Sequence, residues 1–97
     1  MEKKIVDSFK ALSDANRLAI VELLLQGETC GCTMIDKLPI SQPTLSYHLK
    51  TLTEAGLAIA KREGNWIKHQ INKERLSEMI TYLEYLRDLE GKKCRTK

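Results

Sequence analysis

Apolar residues recur along this chain with a helical period for most of its length and lose that period only once. Ile5, Phe9 and Leu12 stand at i, i+4 and i+7, which predicts a first helix carrying one apolar stripe. Ser13 and Asp14 offer cap oxygens to a second helix from about Ala15 to Gln26, stopped by Gly27. Leu18, Ile20, Val21, Leu23, Leu24 and Leu25 cover more than one face of that helix, so it is expected at the centre of the core. Residues 28–38 read as a short helix, regular over 33–38 and ended by Pro39. Ser41 caps the next helix, with Pro43 in its first turn, where a missing N–H costs nothing. It runs from about Gln42 to Ala55, turns Leu45, Leu49 and Leu52 inward, and ends at Gly56.

After Gly56 the period changes. Leu57–Glu63 and Trp66–Ile71 flank Gly64-Asn65, which predicts two short antiparallel strands around a tight turn. Asn72 caps a last helix from about Lys73 to Leu89, with Gly91 as its stop. The expected fold is mainly α (α+β), in the order α-α-α-α-β-β-α. One domain is expected over 1–91, with a basic tail over 92–97. No internal repeat or linker interrupts the order.

Length and composition narrow the field. Ninety-seven residues make one domain with a thin core, which a partner chain would thicken. A hydrophobic share of 42% and a charged share of 30% exclude a disordered chain. No apolar run approaches the roughly 20 residues needed to cross a bilayer. The N-terminus has no apolar signal core, so a cytoplasmic protein with no membrane association is expected.

The helices at 33–38 and 42–55 have the shape of a helix-turn-helix. Ser41, Gln42, Thr44, Ser46, Tyr47 and Lys50 lie on or beside the outer face of the second one, with no carboxylate before Glu54. Such a surface approaches phosphates without repulsion and offers donors to base edges. A solvated amphipathic helix would look the same, and the hairpin tips the balance. A hairpin directly after a recognition helix makes a winged helix-turn-helix, and this one carries Lys61, Arg62 and Lys68 against Glu63 alone. The net charge of +3 divides as −1 over residues 1–56 (six basic, seven acidic), +2 over 57–71 (three and one) and +2 over 72–97 (seven and five). The modest total predicts that two copies act together on double-stranded DNA. His48 sits at the edge of the apolar stripe and reads either as a buried, hydrogen-bonded histidine or as a DNA contact. His69 reads as structural, and Trp66 as a packing residue.

Cys30-Gly31-Cys32 is the second constellation. Three cysteines is an odd count, which favours free thiols or metal ligands over a disulfide framework. On a regular helix the side chains at i and i+2 point about 200° apart and cannot grip one ion. In an extended or frayed first turn they share a side, and Gly31 makes that backbone cheap. Two thiolates, with a third available from Cys94, suit a soft, thiophilic ion and do not complete a tetrahedral zinc site. Redox chemistry and plain packing stay open beside metal or metalloid binding. A dithiol reductase is disfavoured, because Cys-x-Cys is not the redox spacing. A winged helix that binds only protein is the remaining alternative class.

The last helix carries Leu76, Met79, Ile80, Leu83, Leu86 and Leu89 with Tyr82 and Tyr85 interleaved, a wide stripe for the end of a small chain. With the first helix it offers a dimer surface, for which Ile5, Phe9, Met79, Leu83 and Leu86 are the candidates. A two-fold dimer would present two recognition helices one DNA turn apart.

Four stretches carry a family resemblance: residues 9–18 (Phe9-Lys10-Ala11-Leu12-Ser13-Asp14-Ala15-Asn16-Arg17-Leu18), Cys30-Gly31-Cys32, residues 41–52 from Ser41-Gln42-Pro43 to Leu52, and Gly56-Leu57. In these the chain resembles the ArsR/SmtB family of winged-helix repressors, arsenical-resistance repressors most of all. The resemblance implies a homodimer that represses its own operon and needs no cofactor to bind DNA. It is released when the inducer, As(III) or Sb(III), binds thiolates. Cys30 and Cys32 match the sensing pair, and Ser41, Gln42, Thr44, Ser46, Tyr47, His48 and Lys50 fall in the recognition helix. Thr33 stands where many members carry an acidic residue. No cysteine occurs at Met34, Ile35, Asp36 or Lys37, where some carry a third. The last helix has no histidine, so the zinc site of the family's zinc sensors is not expected. Sensing of oxidants or of cadmium or lead by the same fold is the alternative.

Overall fold

The structure is a computed structural model that describes residues 3–90. Five α-helices and one hairpin follow in the order α1 (Lys3–Leu12), α2 (Ala15–Leu25), α3 (Gly31–Met34), a 3-10 turn (Ile35–Lys37), α4 (Gln42–Glu54), β1 (Ala58–Glu63), β2 (Trp66–Ile71) and α5 (Lys73–Asp88).

The ends of these elements follow from local chemistry. The Asp14 carboxylate caps α2 by accepting from the Arg17 N–H at 3.1 Å. Ser41 caps α4 in the same way, accepting from the Thr44 N–H at 3.3 Å. At the far end of α4 the backbone reverses through Gly56, whose φ of +84° favours glycine. There the Leu57 N–H reaches the Leu52 carbonyl at 3.0 Å and the Gly56 N–H reaches that of Thr53 at 3.0 Å, the two bonds of a Schellman cap. The hairpin pairs Ala58 with Ile71 and Glu63 with Trp66, so Gly64 and Asn65 form its two-residue turn. Asn72 closes the wing at its base. Its N–H donates to the Leu57 carbonyl at 2.8 Å, its amide donates to the Gly56 carbonyl at 3.0 Å, and its side-chain oxygen caps α5.

Ile20, Met34, Leu45, Leu52 and Leu57 are fully buried, with Ala11, Val21, Leu24, Leu49, Ala58 and Met79 around them. The expected stripe Leu45, Leu49 and Leu52 is the buried face of α4. Three expectations change. The helix before α4 is shorter and earlier than 33–38: it spans Gly31–Met34 and tightens into the 3-10 turn at Ile35. Helix α2 is not buried all round, since Leu18 and Leu25 are each 46% exposed, because the core meets it only on the Ile20, Val21 and Leu24 side. Ile5 and Met79, expected on a dimer surface, are buried at 7% and 3% within this one chain, because α1 and α5 pack against each other.

Candidate nucleic-acid interface and thiol site

Helix α4 divides as its sequence implied. Ser41, Gln42, Ser46, Tyr47 and Lys50 are exposed, with Thr44 half-buried beside them. The Ser41 and Thr44 hydroxyls lie 2.9 Å apart, so both belong to the cap that starts the helix. Tyr47 is 60% exposed although it is a large aromatic, and Lys50 reaches the exposed Glu54 at 4.0 Å. The wing projects beyond the core, and Lys61, Arg62 and Lys68 are all exposed on it. Lys68 is paired with Glu63 at 3.1 Å.

His48 is the exception to this face. It is only 6% exposed and points into the protein. Its Nδ1 lies 3.1 Å from Nη1 of Arg17. A guanidinium only donates, so Nδ1 accepts and the ring proton sits on Nε2. Nε2 faces the Asp14 carboxylate at 3.9 Å. The Arg17 N–H holds that carboxyl below the usual range, with the Arg17 charge adding to the effect. Arg17 also donates from Nε to the Ala11 carbonyl at 2.7 Å. The structure thus turns His48 from a DNA-contact candidate into the inner end of a lock joining α1, α2 and α4. Sequence reasoning missed Arg17, whose signal was being the one charge in the otherwise uncharged opening of α2, over 15–21.

The two cysteines come together because Cys30 is not helical. It caps α3 with extended backbone, φ −109° and ψ 131°, and its sulfur accepts from the Cys32 N–H. Their Cα atoms are 5.3 Å apart and the two sulfurs are bonded to each other. Gly31 between them lies against α4: a Cβ there would sit 3.8 Å from Leu45 Cδ2 and 4.0 Å from Leu49 Cδ1. Glu28, just upstream, is held below its usual pKa by hydrogen bonds from the Thr33 hydroxyl and from Lys37, the latter at 3.0 Å. Among the described residues no group of three His, Cys, Asp or Glu side chains could hold a metal ion. Cys94, the third thiol, lies outside the described residues, as does the 92–97 tail.

A cavity of about 340 Å³ opens beside the sulfurs, lined by Cys30, Cys32, Trp66 and Lys68. Its far wall is the wing. Strand β2 is held there by its backbone, the His69 N–H donating to the Thr29 carbonyl at 3.0 Å. Nothing in the sequence pattern placed the wing beside the cysteines. No helix among the described residues is long and apolar enough to cross a membrane.

Comparison with known proteins places these features. Residues 14–60 match the family described as bacterial regulatory protein, arsR family. The chain is 42% identical over 89 residues to an uncharacterized HTH-type transcriptional regulator of Methanocaldococcus jannaschii, covering 89% of this chain and 100% of that protein. It is 37% identical over 84 residues to the arsenical resistance operon repressor of Staphylococcus aureus, covering 87% and 81%. Among solved structures it resembles the homodimeric winged helix-turn-helix DNA-binding domain of a possible ArsR-family regulator from Mycobacterium bovis, with a TM-score of 0.70, 28% identity and coverage of 88% and 79%. The winged helix-turn-helix is therefore the fold, and the chain belongs to the arsR family of bacterial regulatory proteins, DNA-binding transcriptional regulators rather than enzymes.

Proposed function

We propose that this protein is a metalloid-responsive repressor acting in the cytoplasm as a homodimer. It binds operator DNA through α4 and the wing and leaves it when As(III) or Sb(III) binds the thiolates of Cys30 and Cys32. Ser41, Gln42, Thr44, Ser46, Tyr47 and Lys50 meet the DNA groove and its phosphates, with Lys61 and Arg62 on the flanking backbone. Lys68 stands with them on the wing. Cys94 is assigned to the third thiolate position. DNA binding needs no cofactor.

The observation that carries this reading is the seat of Gly31 on Leu45 and Leu49 of α4. In the reduced protein an ion held by both sulfurs sets their separation, and with it the backbone between them. Gly31 faces the Leu45 and Leu49 side chains of the recognition helix, so the change is passed to its orientation. By linkage, metalloid and DNA weaken each other's binding by the same factor. The names of the arsenical-resistance relatives support the inducer class. The homodimeric relative and the exposed apolar side chains Leu83 and Leu86 support the dimer.

A second reading has its own observation. The Cys30–Cys32 bond favours thiol oxidation as the signal. A gel-shift on the gene's own promoter separates the two, using arsenite, antimonite, cadmium and peroxide with wild type, Cys30→Ser, Cys32→Ser and Cys94→Ser. Arsenite should release the wild type and fail with Cys30→Ser and Cys32→Ser. Release by peroxide alone would establish the second reading and defeat the first.

A further inference from the structure

The cavity beside the cysteines has a wall that the thiol reading does not use. Trp66 and Lys68 stand two residues apart on β2, so they share one face of the strand. That face looks onto Cys30 and Cys32. Ile67 and His69 take the other face, where they line a groove with Ser46, Leu49, Lys50 and Thr53 of α4. One strand is therefore sandwiched between the thiols and the recognition helix. The Thr29–His69 hydrogen bond fixes its backbone to the residue just before Cys30. Trp66 keeps 60% of its surface exposed, an unusual cost for an indole that only packs, and it lines the same cavity as the two cysteines.

We propose that Trp66 is a positioning residue of the thiol site, the wall against which an inducer held by Cys30 and Cys32 presses, and that β2 carries this pressure to the wing and to α4. The inference rests on the thiol-sensor reading above and adds a second route to it. In the first route, Gly31 moves α4 directly. In this one, occupancy of the cavity displaces Trp66, and β2, paired with β1 at Lys68–Lys61 and Ile67–Arg62, shifts Lys61 and Arg62 relative to the phosphates. Trp66 lies outside the set of DNA-contacting residues, so its loss should cost communication and not affinity.

Trp66 is the single tryptophan of the chain, so its emission reports on this wall alone. In the full-length, reduced protein, adding arsenite should change that emission at the concentration that releases operator DNA. Trp66→Ala should bind the operator within about threefold of wild type when no arsenite is present. Allosteric coupling between two ligands typically amounts to about 5–150-fold in affinity. In Trp66→Ala the ratio of operator Kd with and without arsenite should fall at least about fivefold below the wild-type ratio, while arsenite affinity measured by calorimetry stays within about threefold. Trp66→Phe, which keeps an aromatic wall, should restore most of the coupling. A Trp66→Ala protein released by arsenite as fully as wild type overturns the inference, as does emission that stays constant while the wild type leaves DNA. Failure of arsenite to release the wild type overturns the thiol-sensor reading, and this inference falls with it.

Discussion

Arg75 of α5 holds the carbonyl oxygen of Ala55, the C-cap of the recognition helix, through Nη1 at 2.7 Å. The same nitrogen donates to Ser8 Oγ at 2.7 Å, and Ser8 in turn donates to the Ala55 carbonyl at 3.1 Å. One guanidinium thus joins α1, α4 and α5 at the point where the recognition helix ends. Gly56 is glycine for this reason as well as for its φ, since a Cβ there would lie 2.5 Å from Arg75 Nη1. Arg75→Met removes charge-assisted bonds from a side chain only 13% exposed, and should cost about 2–4 kcal/mol by urea denaturation. Gly56→Ala should cost about 1–3 kcal/mol through its strained backbone and the displaced guanidinium.

His48 and Lys50 are two residues apart on one helix and should fail in opposite ways. His48→Ala leaves Nη1 of Arg17 without its His48 partner and should destabilise the fold by about 1–3 kcal/mol. Lys50→Ala should change stability by less than about 0.5 kcal/mol. It should instead weaken operator binding and flatten the dependence of log affinity on log salt by about 0.9 for each phosphate no longer neutralised. Thermal melts and salt titrations on both variants read the two effects separately.

The second half of α5 turns apolar side chains outward, with Leu83 at 52% and Leu86 at 42% exposure. Tyr82 leans on Phe9 of α1 at 6.3 Å between ring centroids, so both helices contribute to that face. Charging it with Leu83→Glu and Leu86→Glu together should give a monomer by analytical ultracentrifugation. Operator affinity should fall by at least about tenfold, since each half-site then binds alone. A double variant that still sediments as a dimer would rule this face out.

Burial holds the pKa of His69 below the ordinary histidine value, and its Nδ1 is buried without a hydrogen-bond partner among the described residues. The unfolded chain therefore binds that proton more tightly than the folded one. The resulting stability is fully present above about pH 6.5 and is lost as pH falls through the folded-state pKa. His69→Gln should flatten the melting temperature between about pH 6.5 and 5. Asp14 and Glu28, held low by the Arg17 N–H and the Thr33 hydroxyl, titrate in a separate window, with their contribution lost below about pH 4.

Much of this fold was written locally. Period and caps determined the helices, because Ser41, Asn72, Gly27 and Gly56 act on neighbours within four residues. The two-residue turn at Gly64-Asn65 likewise set the hairpin register. The inward stripe Leu45, Leu49, Leu52 and the exposed Tyr47 and Lys50 followed from one helical wheel. The approach of Cys30 to Cys32 was also legible, since a glycine between two thiols permits an extended turn; the bond between them was not, because the odd cysteine count favoured free thiols.

What the tertiary structure decided concerns residues distant in sequence. His48 stood on the boundary of two faces, and only Arg17, 31 positions earlier, turned it inward. Ile5 and Met79 were apolar on exposed-looking stripes, and only the packing of α1 on α5 divided those stripes into core and free surface. Trp66 met the cysteines through the path of the wing, which no period encodes. A helix or hairpin is fixed by forces between neighbours, while a site built from three of them depends on how they pack.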